Sequence, residues 1–160
     1  MKKLIAIICV VLVCAVAACS KPLIDGRIAK NVRYHTRDYA ANPNQLYYAA
    51  RWALEENGYA VAKEDLPQGT VITTWQPVTS DSHYMKVFDR KDYGVTGSYY
   101  QLKIYIMSGG GRPKVRVGAP VKTIVANMMS SGVEEKKILD GIGNYLRSAN
   151  PNLTNLGITE

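Results

Sequence analysis

The sequence predicts an α+β domain: an antiparallel sheet of about four strands with two helices packed on one face. Three observations predict it. A capped amphipathic helix begins near Asn44, two pairs of alternating stretches joined by turn chemistry follow, and a second capped amphipathic helix closes the pattern near Ala149. Helix, hairpin, long insertion, hairpin, helix is an order that puts strands beside strands and leaves the helices to cover them. No internal repeat is present.

The chain opens with Lys2 and Lys3 and then runs apolar from Leu4 to Ala18. Those fifteen residues fall short of the roughly 20 that an untilted helix needs to cross about 30 Å of hydrocarbon, so a secretory leader is the better reading. The run ends in Val16-Ala17-Ala18-Cys19, which resembles the lipobox of bacterial lipoproteins. The resemblance implies cleavage between Ala18 and Cys19, a diacylglyceryl group on the Cys19 thiol and an acyl chain on its new amino group. Several acyl chains hold a protein at a bilayer far more firmly than one, because each buried methylene contributes about 0.8 kcal/mol. Ser20 after the cysteine implies, by the same resemblance, the periplasmic face of the outer membrane; Lys21 leaves inner-membrane retention open.

Residues 1–18 are thus read as leader, 19–42 as lipidated cysteine and tether, 43–150 as one α+β domain and 151–160 as a C-terminal tail. Ile28, Val32 and Tyr34 read as an edge strand where the tether merges into the domain. Cys9 and Cys14 lie in the leader, so the mature chain has no thiol beyond Cys19 for a disulfide, a metal site or a nucleophile.

The first helix, Asn44 to Asn57, has Asn42 as cap, Pro43 at its first position and Gly58 at its end. Leu46, Ala49, Ala50, Ala53 and Leu54 recur with helical spacing and form the buried stripe. Tyr59–Glu64 and Thr70–Pro77 read as antiparallel strands around a turn that contains Pro67 and Gly69. Ser98–Ser108 alternates most regularly, with Tyr100, Leu102, Ile104 and Ile106 on one face and Tyr99, Gln101, Lys103 and Tyr105 on the other. Gly109-Gly110-Gly111 breaks it, Lys114–Gly118 returns, and Pro120 marks an edge or bulge. The final helix, Gly132 to Ala149, reads as a capping box from Ser131 to Glu134, and Asn150-Pro151 stops it.

Val78 to Gly97 is longer than the roughly 12–15 residues usual for a structureless connection. Tyr84 to Phe88 either adds a strand there or belongs to a docking surface. In the second case Tyr84, Phe88, Arg90, Lys91 and Tyr93 are the candidate partner-binding residues, because aromatics beside arginine are favoured at interfaces.

Charge and motifs narrow the function classes. The net charge is +7, and removing Lys2 and Lys3 from the 20 basic residues leaves +5 against 13 acidic ones. The cations are scattered, without a basic helix or a recognition motif, so nucleic acid is not an expected partner. His35 and His83 lack metal-ligand spacing, the triple glycine lacks the lysine of a P-loop, and no nucleophile elbow is present. The expectation is therefore a non-enzyme with no cofactor apart from the covalent lipid on Cys19.

A second resemblance rests on the helix carrying Trp52-Ala53-Leu54 and ending Asn57-Gly58-Tyr59, followed by an acidic residue, Gly69 and a strand with Trp75. These resemble the repeated domain of BamC-type lipoproteins of the outer-membrane β-barrel assembly machinery. That implies a helix-grip-like fold and a non-catalytic accessory role, here with room for one such domain rather than two. Small lipopolysaccharide-transport lipoproteins share the general plan. The first functional expectation is a lipid-anchored binding module that contacts an envelope protein through Val78–Gly97 and the tyrosine-bearing strand face. The alternative is a glycan- or lipid-binding lipoprotein with its pocket between helices and sheet.

Overall fold

The computed structural model describes residues 27–28, 32–87, 90–92, 97–109, 111–125 and 127–153, with 27, 86–87, 90–92 and 149–153 described by backbone alone. The leader, Cys19, Phe88, Tyr93 and the tail beyond Leu153 lie outside those residues. The described part is the expected α+β arrangement, with five strands rather than about four under the helices.

Helix α1, Pro43–Glu56, starts as the sequence predicts. Asn42 Oδ1 accepts from the Gln45 amide at 2.8 Å, and Gln45 Oε1 accepts from the Asn42 amide at 3.1 Å. Two donors that the first turn leaves without helical partners are thereby satisfied. Helix α2, Val133–Leu153, runs three residues past Asn150. Proline withholds only one amide donor and its φ is helical, so the chain keeps helical geometry through Pro151.

The expected capping box of α2 does not form. Ser131 uses its amide on the Ser82 carbonyl at 3.0 Å, so Glu134 has no free amide to reach back to. Its carboxylate turns to the sheet instead, as described below.

Three runs of chain that alternate as single strands each change sheet at a bend. Thr70–Thr73 (β4) continues as Gln76–Pro77 (β5), Tyr99–Tyr100 (β8) leads into Lys103–Met107 (β9), and Lys114–Gly118 (β10) leads into Val121–Thr123 (β11). The bends lie side by side. Pro120 has no amide for the ladder, and its carbonyl accepts from Gln101. The Leu102 amide donates to the Thr73 hydroxyl at 2.9 Å, a side-chain bond that replaces a ladder bond at the corner.

With Tyr34–Asp38 (β2) and Val61–Asp65 (β3), the first half of this bent sheet has the order β2-β10-β9-β4-β3. The second half, with Arg27–Ile28 (β1), has the order β1-β11-β8-β5, antiparallel throughout. A third, three-stranded sheet comprises Met128–Ser130 (β12), His83–Val87 (β6) and Arg90–Asp92 (β7). Val78–Gly97 therefore contains strands.

Both helices pack on the inner face of the five-stranded half. Val71, Ile104, Val115 and Val117 meet Leu46, Ala50, Ala53, Leu54, Ile138 and Ile142, all at zero exposure. Each large apolar side chain in that layer contributes roughly 1.5–3 kcal/mol relative to exposure. The helices cross most closely at Gly141, where an added Cβ would lie 3.1 Å from that of Ala53. Tyr39 donates to the Leu139 carbonyl at 2.6 Å and Arg37 pairs with Asp140 at 2.7 Å, fixing α2 to β2. Tyr47 donates to Glu64 at 2.8 Å, fixing α1 to β3.

Candidate partner-binding surface

Alternation along β2, β9 and β10 sends the other set of side chains outward, away from the helices. Register then assembles them: Arg116 lies opposite Tyr105, and Lys114 lies opposite Met107 on one side and Asp38 on the other. The Arg116 guanidinium sits 4.0 Å from the centre of the Tyr34 ring, and the Tyr34 and Tyr105 rings are 6.0 Å apart and tilted by 57°. A cation over an aromatic face at this range is attractive by roughly 0.5–1 kcal/mol on a wet surface. Burial, then the neighbouring Tyr105, raises the Tyr34 phenol above its ordinary pKa, against the opposing pull of Arg116. The face thus presents Arg116 and Lys114 together with the Tyr34 and Tyr105 rings.

Two shallow clefts adjoin this cluster. One, of about 370 Å³, is lined by Tyr34, Tyr105, Arg116 and Gln68; the other, of about 360 Å³, extends over Tyr47 and Leu66; Gln68, Ile106 and Met107 line both. Leu66 and Met107 are exposed apolar groups at the rim. The wall they share depends on Gly69, at φ +60, whose carbonyl accepts from the Ile106 amide at 2.7 Å. An added Cβ there would lie 2.5 Å from the Ile106 carbonyl oxygen.

Of the sequence-predicted site residues, Tyr84, Arg90 and Lys91 are described, and none lines these two clefts. Tyr84 is half-buried on β6, opposite Met129 of β12. Arg90 and Lys91 lie on β7, paired with Val87 and Lys86; Phe88, Tyr93, Ala18 and Cys19 are outside the described residues. Of the tyrosine-bearing strand face, Tyr105 joins the cluster with Tyr34 and Arg116, a grouping of residues distant in sequence that only register reveals. The interior between helices and sheet, where the alternative pocket was expected, is occupied by the zero-exposure side chains named above.

A buried network joins several groups with acid–base chemistry. Tyr59 shares a hydrogen bond with the Tyr100 hydroxyl at 2.8 Å and donates to Glu134 Oε2 at 2.7 Å. His83, its ring 5.0 Å from that of Tyr100 and tilted by 45°, approaches the Ala119 carbonyl through Nε2 at 3.2 Å and the Ser82 hydroxyl through Nδ1 at 3.1 Å. A carbonyl only accepts, so the proton is assigned to Nε2. Burial lowers the His83 pKa and holds the ring neutral.

Glu135 has zero exposure, and among the described residues neither carboxyl oxygen has a hydrogen-bond partner. Burial raises its pKa, more than Ser130 and His35 lower it. With His83, Tyr100 and Tyr59 all buried, these groups bind the start of α2 to the sheet and offer no open face to a substrate. Among the described residues no cluster of His, Asp, Glu or Cys is placed to hold a metal ion, and no helix is long and apolar enough to cross a membrane.

Comparison with family models and with curated proteins returns no match to this chain.

Proposed function

We propose that this chain is a lipid-anchored, non-catalytic module of the bacterial cell envelope, held by acyl chains on Cys19 at the periplasmic face of the outer membrane, and that it binds another envelope protein. The lipobox-like Val16-Ala17-Ala18-Cys19 after a charged and apolar leader supports the anchor. The observation that carries the binding role is the arrangement of the outer sheet face. Exposed Arg116 lies with the half-buried rings of Tyr34 and Tyr105 beside two clefts that share Gln68, Ile106 and Met107, while Tyr59, His83, Tyr100 and Glu135 are buried in the structural network.

Tyrosine and arginine are the side chains that dominate binding energy at protein interfaces. Lys103 and Lys114 lie on the same face, so the partner surface it fits carries carboxylates. The second candidate contact is the segment that carries Tyr84, Phe88, Arg90, Lys91 and Tyr93.

The test is a photoreactive residue at Tyr105 in the full lipidated chain, crosslinked in intact cells, with Tyr84 as the second position. The proposal expects one stoichiometric envelope protein joined at Tyr105 and lost with Arg116→Ala. Adducts at neither position, or adducts indifferent to Arg116, contradict it.

A further inference from the structure

The four-stranded half of the bent sheet has an outer face of a different character. Cross-strand register places Ile28, Lys122, Tyr99 and Pro77 in one row across β1, β11, β8 and β5, and residues directly opposite in antiparallel pairs share a face. Ile28 is 54% exposed and Tyr99 48%. Trp75, two residues before Pro77, is 37% exposed, and Ile124, two after Lys122, is 61% exposed. The alternate row is buried: Tyr100, Val121 and Thr123 face the interior. The row therefore shows water Ile28, Tyr99 and Pro77 around a half-buried lysine, with exposed Trp75 and Ile124 just beyond the ends of β5 and β11.

Its position along the chain identifies what covers it. β1 begins at Arg27, eight residues after Cys19. Even fully extended, that length reaches at most about 29 Å. Given the anchor on Cys19, on which this inference rests, the edge strand of this sheet is the described element joined to the bilayer by the shortest run of chain.

We infer that the outer face of β1-β11-β8-β5 lies on the lipid surface, with Trp75 and Tyr99 at head-group level and Ile28 and Ile124 against the acyl boundary. Tryptophan and tyrosine favour that boundary because one end of each ring system is apolar and the other is wet. A tethered domain needs little affinity of its own, since the anchor keeps the local lipid concentration high. In this orientation the Tyr34–Arg116–Tyr105 cluster, on the other side of the bend, is left for a partner.

The two tryptophans make the test internal, because Trp52 on α1, with the Tyr145 ring 5.2 Å away, and Trp75 are both 37% exposed and occupy different surfaces. The full lipidated chain is reconstituted in phosphatidylethanolamine and phosphatidylglycerol vesicles containing brominated lipid, as Trp52→Phe and Trp75→Phe variants, with intact mass measured on the same samples. The inference expects at least twofold stronger quenching in Trp52→Phe, which retains Trp75. Nitroxides at Ile124→Cys and Tyr48→Cys read the same contrast without altering either indole, with only the first shielded by lipid.

Equal or absent quenching in protein whose mass shows the acyl chains overturns this orientation and leaves the anchor standing. A mass without acyl chains overturns the anchor and the orientation together.

Discussion

The Tyr59 hydroxyl donates to the Glu134 carboxylate across 2.7 Å, joining a residue three places past the end of α1 to the first turn of α2. The Tyr100 hydroxyl lies 2.8 Å from the Tyr59 hydroxyl oxygen, so Tyr59 serves a carboxylate and a second phenol at once. Because Tyr59 also donates to a charge, burial and both partners push its pKa far above the ordinary phenol value, and it remains protonated. Tyr59→Phe should lower stability by roughly 1.5–3 kcal/mol, the range for a bond to a charged group. Urea unfolding reads this directly, and an unchanged midpoint would show that the bond contributes nothing net.

Glu135 should make stability fall with rising pH. Below its ordinary value of 4.5 the carboxyl is neutral in both states. Above that value the unfolded chain ionises while the buried group resists, so stability is lost as pH rises through the higher folded pKa. His83 acts in the opposite sense: its pKa is depressed by burial, so its contribution is lost as pH falls below about 6.5. Glu135→Gln should gain roughly 1–3 kcal/mol over the parent near pH 7.5 and much less at pH 4. Thermal unfolding at the two pH values checks the difference; a gap that does not grow with pH contradicts it.

Gly58 and Gly69 both adopt positive φ, but only Gly69 is crowded. Gly58→Ala meets no atom within 4 Å and should cost about 1 kcal/mol of backbone strain. Gly69→Ala drives a methyl into the Ile106 carbonyl and should cost on the order of 3 kcal/mol, overpacking added to strain. It should also distort the wall shared by the two clefts. Denaturant midpoints of the pair test the ranking.

Arg116→Ala should separate binding from stability. The side chain is exposed and its contact with Tyr34 is on the surface, so the loss on unfolding should stay below about 1 kcal/mol. The crosslink from Tyr105 should nevertheless fall several-fold. Equal losses in both measurements would make the cluster a structural feature only.

Features set by a single local window were readable from the sequence. Asn42, Pro43, the alanine-rich stripe and Gly58 define α1 within a few residues of its observed ends. The alternation of Ser98–Ser108 survives as the burial of Tyr100, Leu102, Ile104 and Ile106 even though the run bends into two strands. What was hidden depends on distant partners. The bend needs Thr73 to reach Leu102, and Ser131 with Glu134 spell a capping box that Ser82 and Tyr59 break up from elsewhere in the chain. β11 and β12 have three residues each, too few to show a period. The candidate surface was half visible: Tyr105 was on a recognised face, but Tyr34 and Arg116 join it only through the register of β2, β10 and β9.

The central claim, a domain held at a membrane by lipid on Cys19, is tested most directly by intact-mass spectrometry of the protein extracted from its native envelope. The account predicts a chain that begins at Cys19 and carries a diacylglyceryl group and an amide-linked acyl chain. A chain that retains Met1 to Ala18, or a bare Cys19 amino terminus, would contradict it.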